Sequence, residues 1–182
     1  RTRRVVSEGV AQYMQMDGQS LDHGFKEKRH FEIKSCLGRG GFGEVYLAKM
    51  VSAGGVETEV AIKVLHQGLD PRSQASQLLR DEVRLLGVLN HPSILRVTDL
   101  VVLDGRVALV TEYVEGEDLE QSLEADPPIP LRPLIDVLGN VADALDAAYS
   151  KPSPDGGTLQ LVHRDIKPSN IRLGKRGGVR LL

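Results

Sequence analysis

The sequence predicts an α+β fold in which a five-stranded antiparallel sheet carrying one helix precedes a second part with a helix and a hairpin. Three observations lead there. Apolar and polar residues alternate in the period of a strand through most of 31–114. The dipeptide Asp104-Gly105, the strongest short hairpin signal, separates two β-rich runs. Apolar residues recur at three- and four-residue intervals over 78–86 and again over 134–148, the spacing of a helix face.

At 182 residues the chain is long enough for one large or two small domains, and an apolar content of 41% excludes disorder throughout. The 23 basic and 25 acidic residues nearly cancel, to −2, which points away from nucleic acid and from a membrane surface. The single cysteine, Cys36, excludes a disulfide framework and suits a reducing, cytoplasmic setting. It reads as a small strand residue rather than a reactive thiol. No apolar run approaches the length of a membrane span, and nothing resembles a signal peptide. The sequence opens on arginine rather than methionine, so a longer parent is expected.

Residues 1–29 are polar and weakly patterned. Val6, Val10, Tyr13 and Met14 fit one helical face, but Gly9 and Gly18 interrupt it, and the segment reads as a linker or amino-terminal extension. From Phe31, Phe31-Glu-Ile-Lys-Ser-Cys-Leu37 alternates as a strand and runs into Gly38-Arg-Gly40-Gly-Phe-Gly43-Glu-Val45. Dinucleotide-binding units use the same glycine spacing, but there the last glycine opens a helix. Here Glu44-Val-Tyr-Leu-Ala-Lys49 alternates again. The glycines are therefore placed in the turn of a β-hairpin, where missing Cβ atoms would let backbone N–H groups approach phosphate oxygens. A P-loop is excluded, because Gly174-Lys175 is followed by arginine and lacks the upstream glycine.

Val56 to Leu65 reads as the next strand, with Val60, Ile62 and Val64 on one face and Ala61, Lys63 and Leu65 on the other. Lys63, flanked by apolar residues, is either at a wet edge or paired inside. The helix that follows, begun at Asp70-Pro71, places Glu82 among Leu78, Leu79, Leu85 and Leu86. A carboxylate on an apolar face calls for a cation, and Lys63 is the candidate. His91-Pro92 ends the helix, with His91 in a packing and hydrogen-bonding role. Ile94–Leu103 and Arg106–Val114 complete the five strands. Asp118, at the end of Thr111-Glu-Tyr-Val114-Glu-Gly-Glu-Asp118, fits a helix N-cap. Leu134, Leu138, Val141, Leu145 and Ala148 mark a second helix. Lys151–Gly157 reads as a surface insertion, and Ile171-Arg-Leu173 and Val179–Leu182 flank a turn over 174–178.

Between them lies His163-Arg-Asp-Ile-Lys-Pro-Ser-Asn170, a dense polar run entered through Leu161-Val162 and left through Ile171. The pattern H-R-D-x-K-P-x-N resembles the catalytic loop of the bacterial, eukaryotic-like (Hanks-type) serine/threonine protein kinases. The hairpin resembles their Gly-rich loop, G-x-G-x-x-G-x-V, at every fixed position. The resemblance covers residues 31–182. It implies a bilobal kinase-like fold, with an amino-terminal lobe over 30–111, a hinge over 112–118 and the start of a carboxy-terminal lobe over 119–182. It also implies an enzyme that uses ATP and Mg2+ to phosphorylate serine or threonine hydroxyls of protein substrates.

Carried over by position, Asp165 is the base facing the hydroxyl, Lys167 neutralises the transferring phosphoryl group and Asn170 holds the metal. Lys63 holds the α- and β-phosphates and is itself held by Glu82. Gly38, Gly40 and Gly43 position phosphates, while Leu37, Val45 and Ala61 pack on adenine. Thr111 is the gatekeeper, the backbone of Glu112 and Val114 meets the base, and Asp118 reaches the ribose as well as capping. Arg164, beside the base, hints at control by activation-loop phosphorylation. The sequence departs from the pattern twice. No Asp-Phe-Gly follows Leu182, so the polypeptide as it stands is expected to be catalytically silent. Arg172 stands where the family usually puts an aliphatic floor under adenine: its stem could lie there with the head in water, or it could weaken nucleotide binding. The alternatives are a nucleotide-binding pseudokinase or scaffolding module and, behind it, a small-molecule phosphotransferase.

Overall fold

Alternating side chains along successive strands build the first sheet. The computed structural model describes residues 3–7, 29–41, 43–52, 54–65, 83, 86–153 and 156–182. The chain divides into two compact units, residues 1–84 with 97–113 and residues 85–96 with 114–182.

The first unit holds strands β1 (Arg3–Ser7), β2 (Arg29–Gly40), β3 (Gly43–Val51), β4 (Glu57–Leu65), β5 (Val97–Leu103) and β6 (Arg106–Glu112). They form one antiparallel sheet in the order β1-β2-β3-β4-β6-β5. Val60, Ile62 and Val64 point to one side of β4 and are almost fully buried. There they meet Phe31, Ala48, Val101, Leu103, Ala108 and Val110, all within 5% of complete burial. The β5–β6 turn is Asp104-Gly105, both at positive φ (49° and 75°), the primed geometry that matches strand twist.

The five expected strands are β2 to β6, and β1 is an addition. Arg3–Ser7, read from the sequence as part of a polar linker, pairs along the outer edge of β2 from Arg3↔Ile33 to Ser7↔Arg29. An edge strand is held by its ladder and is commonly short and charged, so the amphipathic alternation that marks inner strands need not appear in it. Val10, Tyr13 and Met14 lie outside the described residues. So does most of the helix expected after β4: Val83, Leu86 and Gly87 are helical, and Val83 is buried, but Glu82 is not among the described residues.

The second unit contains β7 (Gly116–Asp118), α1 (Leu119–Glu124), α2 (Leu131–Tyr149), a 3-10 turn (Pro168–Asn170), β8 (Ile171–Gly174) and β9 (Val179–Leu181). Strands β7, β8 and β9 form a small antiparallel sheet in that order. Its core joins Leu119, Val137, Val141, Ile171, Val179 and Leu181. Residues 85–96 belong here too. Leu181 donates to the Ser93 carbonyl and accepts from the Leu95 N–H, each at 2.8 Å. His91 Nδ1 accepts from the Ser93 N–H at 3.1 Å, the hydrogen-bonding role expected of it. The face read in the sequence for α2 holds at Val141, Leu134 and Leu145, which pack in or against the core, but not at Leu138. Leu138, expected inside, is 51% exposed, whereas Val137 and Ala144 are buried beside Val141. Two adjacent apolar rows run along this helix, and spacing alone does not say which one meets the core. The 151–157 insertion closes on itself through the Pro152↔Thr158 bridge and a hydrogen bond from the Ser153 N–H to the Gly157 carbonyl at 2.9 Å.

Candidate functional site

In the first unit the glycine-rich stretch is a β-hairpin, Gly40↔Gly43 closing it and Gly38 facing Val45. No helix opens at the last glycine, as a dinucleotide-binding unit would require. The glycines are not equivalent. Among the described residues, a Cβ on Gly38 or Gly40 would meet nothing within 4 Å, which leaves their backbone open on that side. Gly43, at φ 155°, lies against β4, and a Cβ there would run into the Val64 carbonyl. Gly43 is required by packing, Gly38 and Gly40 by nothing among the described residues. Leu37 is 44% exposed and sits at an irregularity in the β2–β3 register, opposite no residue of β3.

The register then brings the candidate residues of three strands together. Val45 lies opposite Lys63, Ala61 opposite Thr111 and Lys63 opposite Leu109. Opposed residues of an antiparallel pair project to the same side, so Val45, Ala61, Lys63 and Thr111 share the face turned away from the Val60–Val64 core. Lys63 is exposed, Thr111 is 6% exposed, and the Thr111 hydroxyl donates to the Glu112 carbonyl at 3.1 Å. The inferred Lys63–Glu82 ion pair lies outside the described residues.

The second unit builds the polar loop from its core outward. Buried Ile171 starts β8, and the 3-10 turn before it is closed by the Asn170 N–H on the Lys167 carbonyl at 2.9 Å. Asn170 is thereby held under Asp165. Its Nδ2 donates to the Asp165 backbone carbonyl at 2.8 Å and to Oδ2 at 2.9 Å. Lys167 Nζ donates to the same Oδ2 at 2.9 Å. The Lys167 hydrogen bond first, and the Asn170 amide second, hold the Asp165 carboxyl below the usual carboxylate range. Asp165 is thus an ionised, solvent-facing carboxylate fixed by two donors, as a proton acceptor has to be. Asn170 spends its nitrogen on Asp165, which leaves the amide oxygen, a hard donor of the kind magnesium takes.

Two residues contribute in ways the sequence did not show. His163 Nδ1 accepts from the Asp165 N–H at 3.3 Å while Nε2 donates to the Leu182 carbonyl at 2.7 Å, which fixes the neutral Nε2–H tautomer. Leu182 in turn donates to the Asn170 carbonyl at 2.9 Å, so its backbone is bracketed by the loop. Nothing in residue spacing announces a backbone partner. Arg164, between them, adopts φ 66°, a left-handed conformation that non-glycine residues rarely hold.

Asp118 and Arg172 face each other across β7 and β8. Asp118 caps α1 with a complete capping box, accepting from the Gln121 N–H at 2.9 Å while Gln121 Oε1 accepts from its own N–H at 3.0 Å. The Arg172 head is not left in water: Nε donates to the Val114 carbonyl at 3.2 Å, and the terminal nitrogen donates to the Gly116 carbonyl. Glu112, Val114 and Asp118 leave the first sheet in the order read from the sequence. The division between the units falls between Tyr113 and Val114.

The protein kinase domain model matches residues 31–182. The serine/threonine-protein kinase Pkn2 of Myxococcus xanthus is 37% identical over 80% of this chain and 16% of its own length. The tyrosine-protein kinase MasK of M. xanthus is 35% identical over 80% of this chain and 23% of its length. The chain therefore spans less than a quarter of these curated relatives. Among solved structures, the kinase domain of PknI from Mycobacterium tuberculosis superposes with a TM-score of 0.66 at 28% identity, over 83% of this chain and 56% of that one. A glycine hairpin, a lysine on the neighbouring strand and an anchored Asp165 loop thus occur in the order and spacing of a family whose model runs over 31–182. The chain belongs to the protein kinase domain family.

Proposed function

We propose that the protein is a serine/threonine kinase that transfers the γ-phosphoryl group of ATP to a protein hydroxyl, with Asp165 as the base. The observation that carries this reading is the Asp165 carboxylate itself. It is 61% exposed, yet it is fixed by Lys167 and Asn170 and held in its ionised form. A surface carboxylate of purely structural use would not need two donors to aim it at solvent. Asp165 would accept the hydroxyl proton, and Lys167 would turn part of its charge toward the phosphoryl group as negative charge moves.

ATP would lie along the face that carries Val45, Ala61, Lys63 and Thr111, with its phosphates under the open Gly38 and Gly40 backbone and its base against Leu37, Glu112 and Val114. Lys63 would grip the α- and β-phosphates, and Glu82 would hold Lys63. Asp118 would reach the ribose from its N-cap position. Magnesium, when bound, would offset the negative charge of the phosphates. Asn170 would supply one ligand through its amide oxygen. A single neutral ligand does not hold magnesium against its hydration shell, so residues 1–182 alone are expected to be silent. The single cysteine supports a cytoplasmic site of action, and among the described residues no helix is long and apolar enough to cross a membrane.

Lys167 supports serine or threonine as the acceptor, although a relative named as a tyrosine-protein kinase is 35% identical. The test is phosphoamino-acid analysis of a generic protein substrate labelled by the full-length protein from γ-labelled ATP. Phosphoserine or phosphothreonine that disappears in Asp165→Asn is expected. Phosphotyrosine would reassign the acceptor. Nucleotide binding without transfer would favour the pseudokinase.

A further inference from the structure

We infer that Arg172 is a specificity-determining residue for the base of the nucleotide: it occupies the Val114 carbonyl and so disfavours purines that carry an amino group at C2. This rests on the kinase reading above, in which the base meets the backbone of Val114. Arg172 is the second residue of β8, half-buried, and both of its contacts are to main-chain oxygen. Its Nε donates to the Val114 carbonyl at 3.2 Å and its terminal nitrogen to the Gly116 carbonyl. The carbonyl between them, that of Glu115, accepts from the Lys175 N–H at 2.8 Å, and the Lys175 ammonium meets the Glu115 carboxylate at 2.7 Å. Three consecutive carbonyls, those of Val114 and Glu115 before β7 and of Gly116 at its start, are thus taken by the β8 hairpin, two of them by one guanidinium.

A purine that accepts from the Val114 N–H through N1 presents C2 next to it. Adenine has only a hydrogen there. An amino group on C2 would turn to the carbonyl of the same residue, because the N–H and C=O of one extended residue point to the same side. The Val114 carbonyl has a second lone pair, but a donor reaching for it meets a permanently charged group that is itself all donors. An aliphatic residue at 172 would leave the carbonyl free to accept. One hydrogen bond gained or refused corresponds to roughly fivefold in affinity.

The experiment compares ATP with 2-amino-ATP, which differs only by the C2 amino group, as substrates of the full-length protein. KM for each is measured in the wild type, Arg172→Leu and Arg172→Lys. The readout is the ratio of the two KM values within each protein, from which a general loss of activity or stability cancels. The wild type is expected to prefer ATP about fivefold or more. Arg172→Leu should bring the ratio to one or below, and Arg172→Lys, with a single ammonium for two carbonyls, to an intermediate value. Equal KM values in the wild type overturn the proposal, as does a preference that survives in Arg172→Leu. Should the leucine variant fail to fold, the wild-type ratio and the lysine variant still decide. A wild-type protein that binds neither nucleotide removes the proposal together with the kinase reading, whereas equal use of both removes the proposal alone.

Discussion

Asp165 and Lys167 stand two residues apart, and their charged atoms meet at 2.9 Å although both side chains are at least half exposed. An ion pair so open to water adds little to stability. Its consequence is for the proton. Because the hydrogen bond from Lys167 is the largest cause of the lowered Asp165 pKa, the carboxylate stays ionised as the pH falls and is protonated only below its usual range. Replacing Lys167 with methionine removes that cause, so the acid limb of the rate profile should move to higher pH. A profile carried down to about pH 2, through the ordinary carboxylate range, in which the limb stays put would show that the pair does not tune the base. Asp165→Ala should lower turnover roughly 100-fold or more on the scale of positioned proton-transfer groups. Nucleotide affinity, measured by calorimetry, should change far less in the same variant, since Asp165 faces the acceptor. His163 was legible as part of a pattern but not as a strut, because both of its partners are main-chain atoms.

At the scale of elements, β7 approaches β8 so closely that a Cβ on Gly116 would run into the Leu173 carbonyl. Gly139, exposed inside α2, has nothing within 4 Å of its would-be Cβ. Alanine should therefore act in opposite directions at the two sites. Gly139→Ala should stabilise by roughly 0.5–1 kcal/mol through helix propensity. Gly116→Ala should destabilise by more than about 1 kcal/mol. Urea unfolding of both variants checks the pair, and matching signs would mean that the β7–β8 approach is looser than it looks. The same elements explain what could be read beforehand. Strands β2 to β6 announced themselves because one face of each meets a core, so side-chain period and burial coincide. Strand β7, three residues long, has no room for a period, and β1 takes its pairing from main-chain groups. The candidate residues Val45, Ala61, Lys63 and Thr111 were legible because register follows from alternation. The hold of Arg172 on Val114 was not, since it joins residues 58 apart through a carbonyl.

For the molecule as a whole, α2 carries a second apolar row, Leu131, Ile135 and Leu138, at 72%, 58% and 51% exposure. Residues 1–182 alone should therefore bind an apolar fluorescent dye, and Ile135→Lys with Leu138→Glu should reduce the signal without lowering the midpoint of thermal unfolding. A fall in that midpoint would place the row in the core after all. The chain also passes from one unit to the other three times, after residues 84, 96 and 113. Residues 85–96 take their strand partner from Leu181, almost at the carboxy-terminal end of the described chain. On a ribosome adding about 5–20 residues per second, Ser93 emerges roughly 5–20 s before the residue that pairs with it. For that interval a stretch of the second unit is in hand while its partner is still unmade, and the first unit has its last strand on the far side of it. The first sheet can close early, but the loop bearing Asp165 gains its anchor on Leu182 only when synthesis has passed that point. Synthesis order thus sets the scaffold before the chemistry.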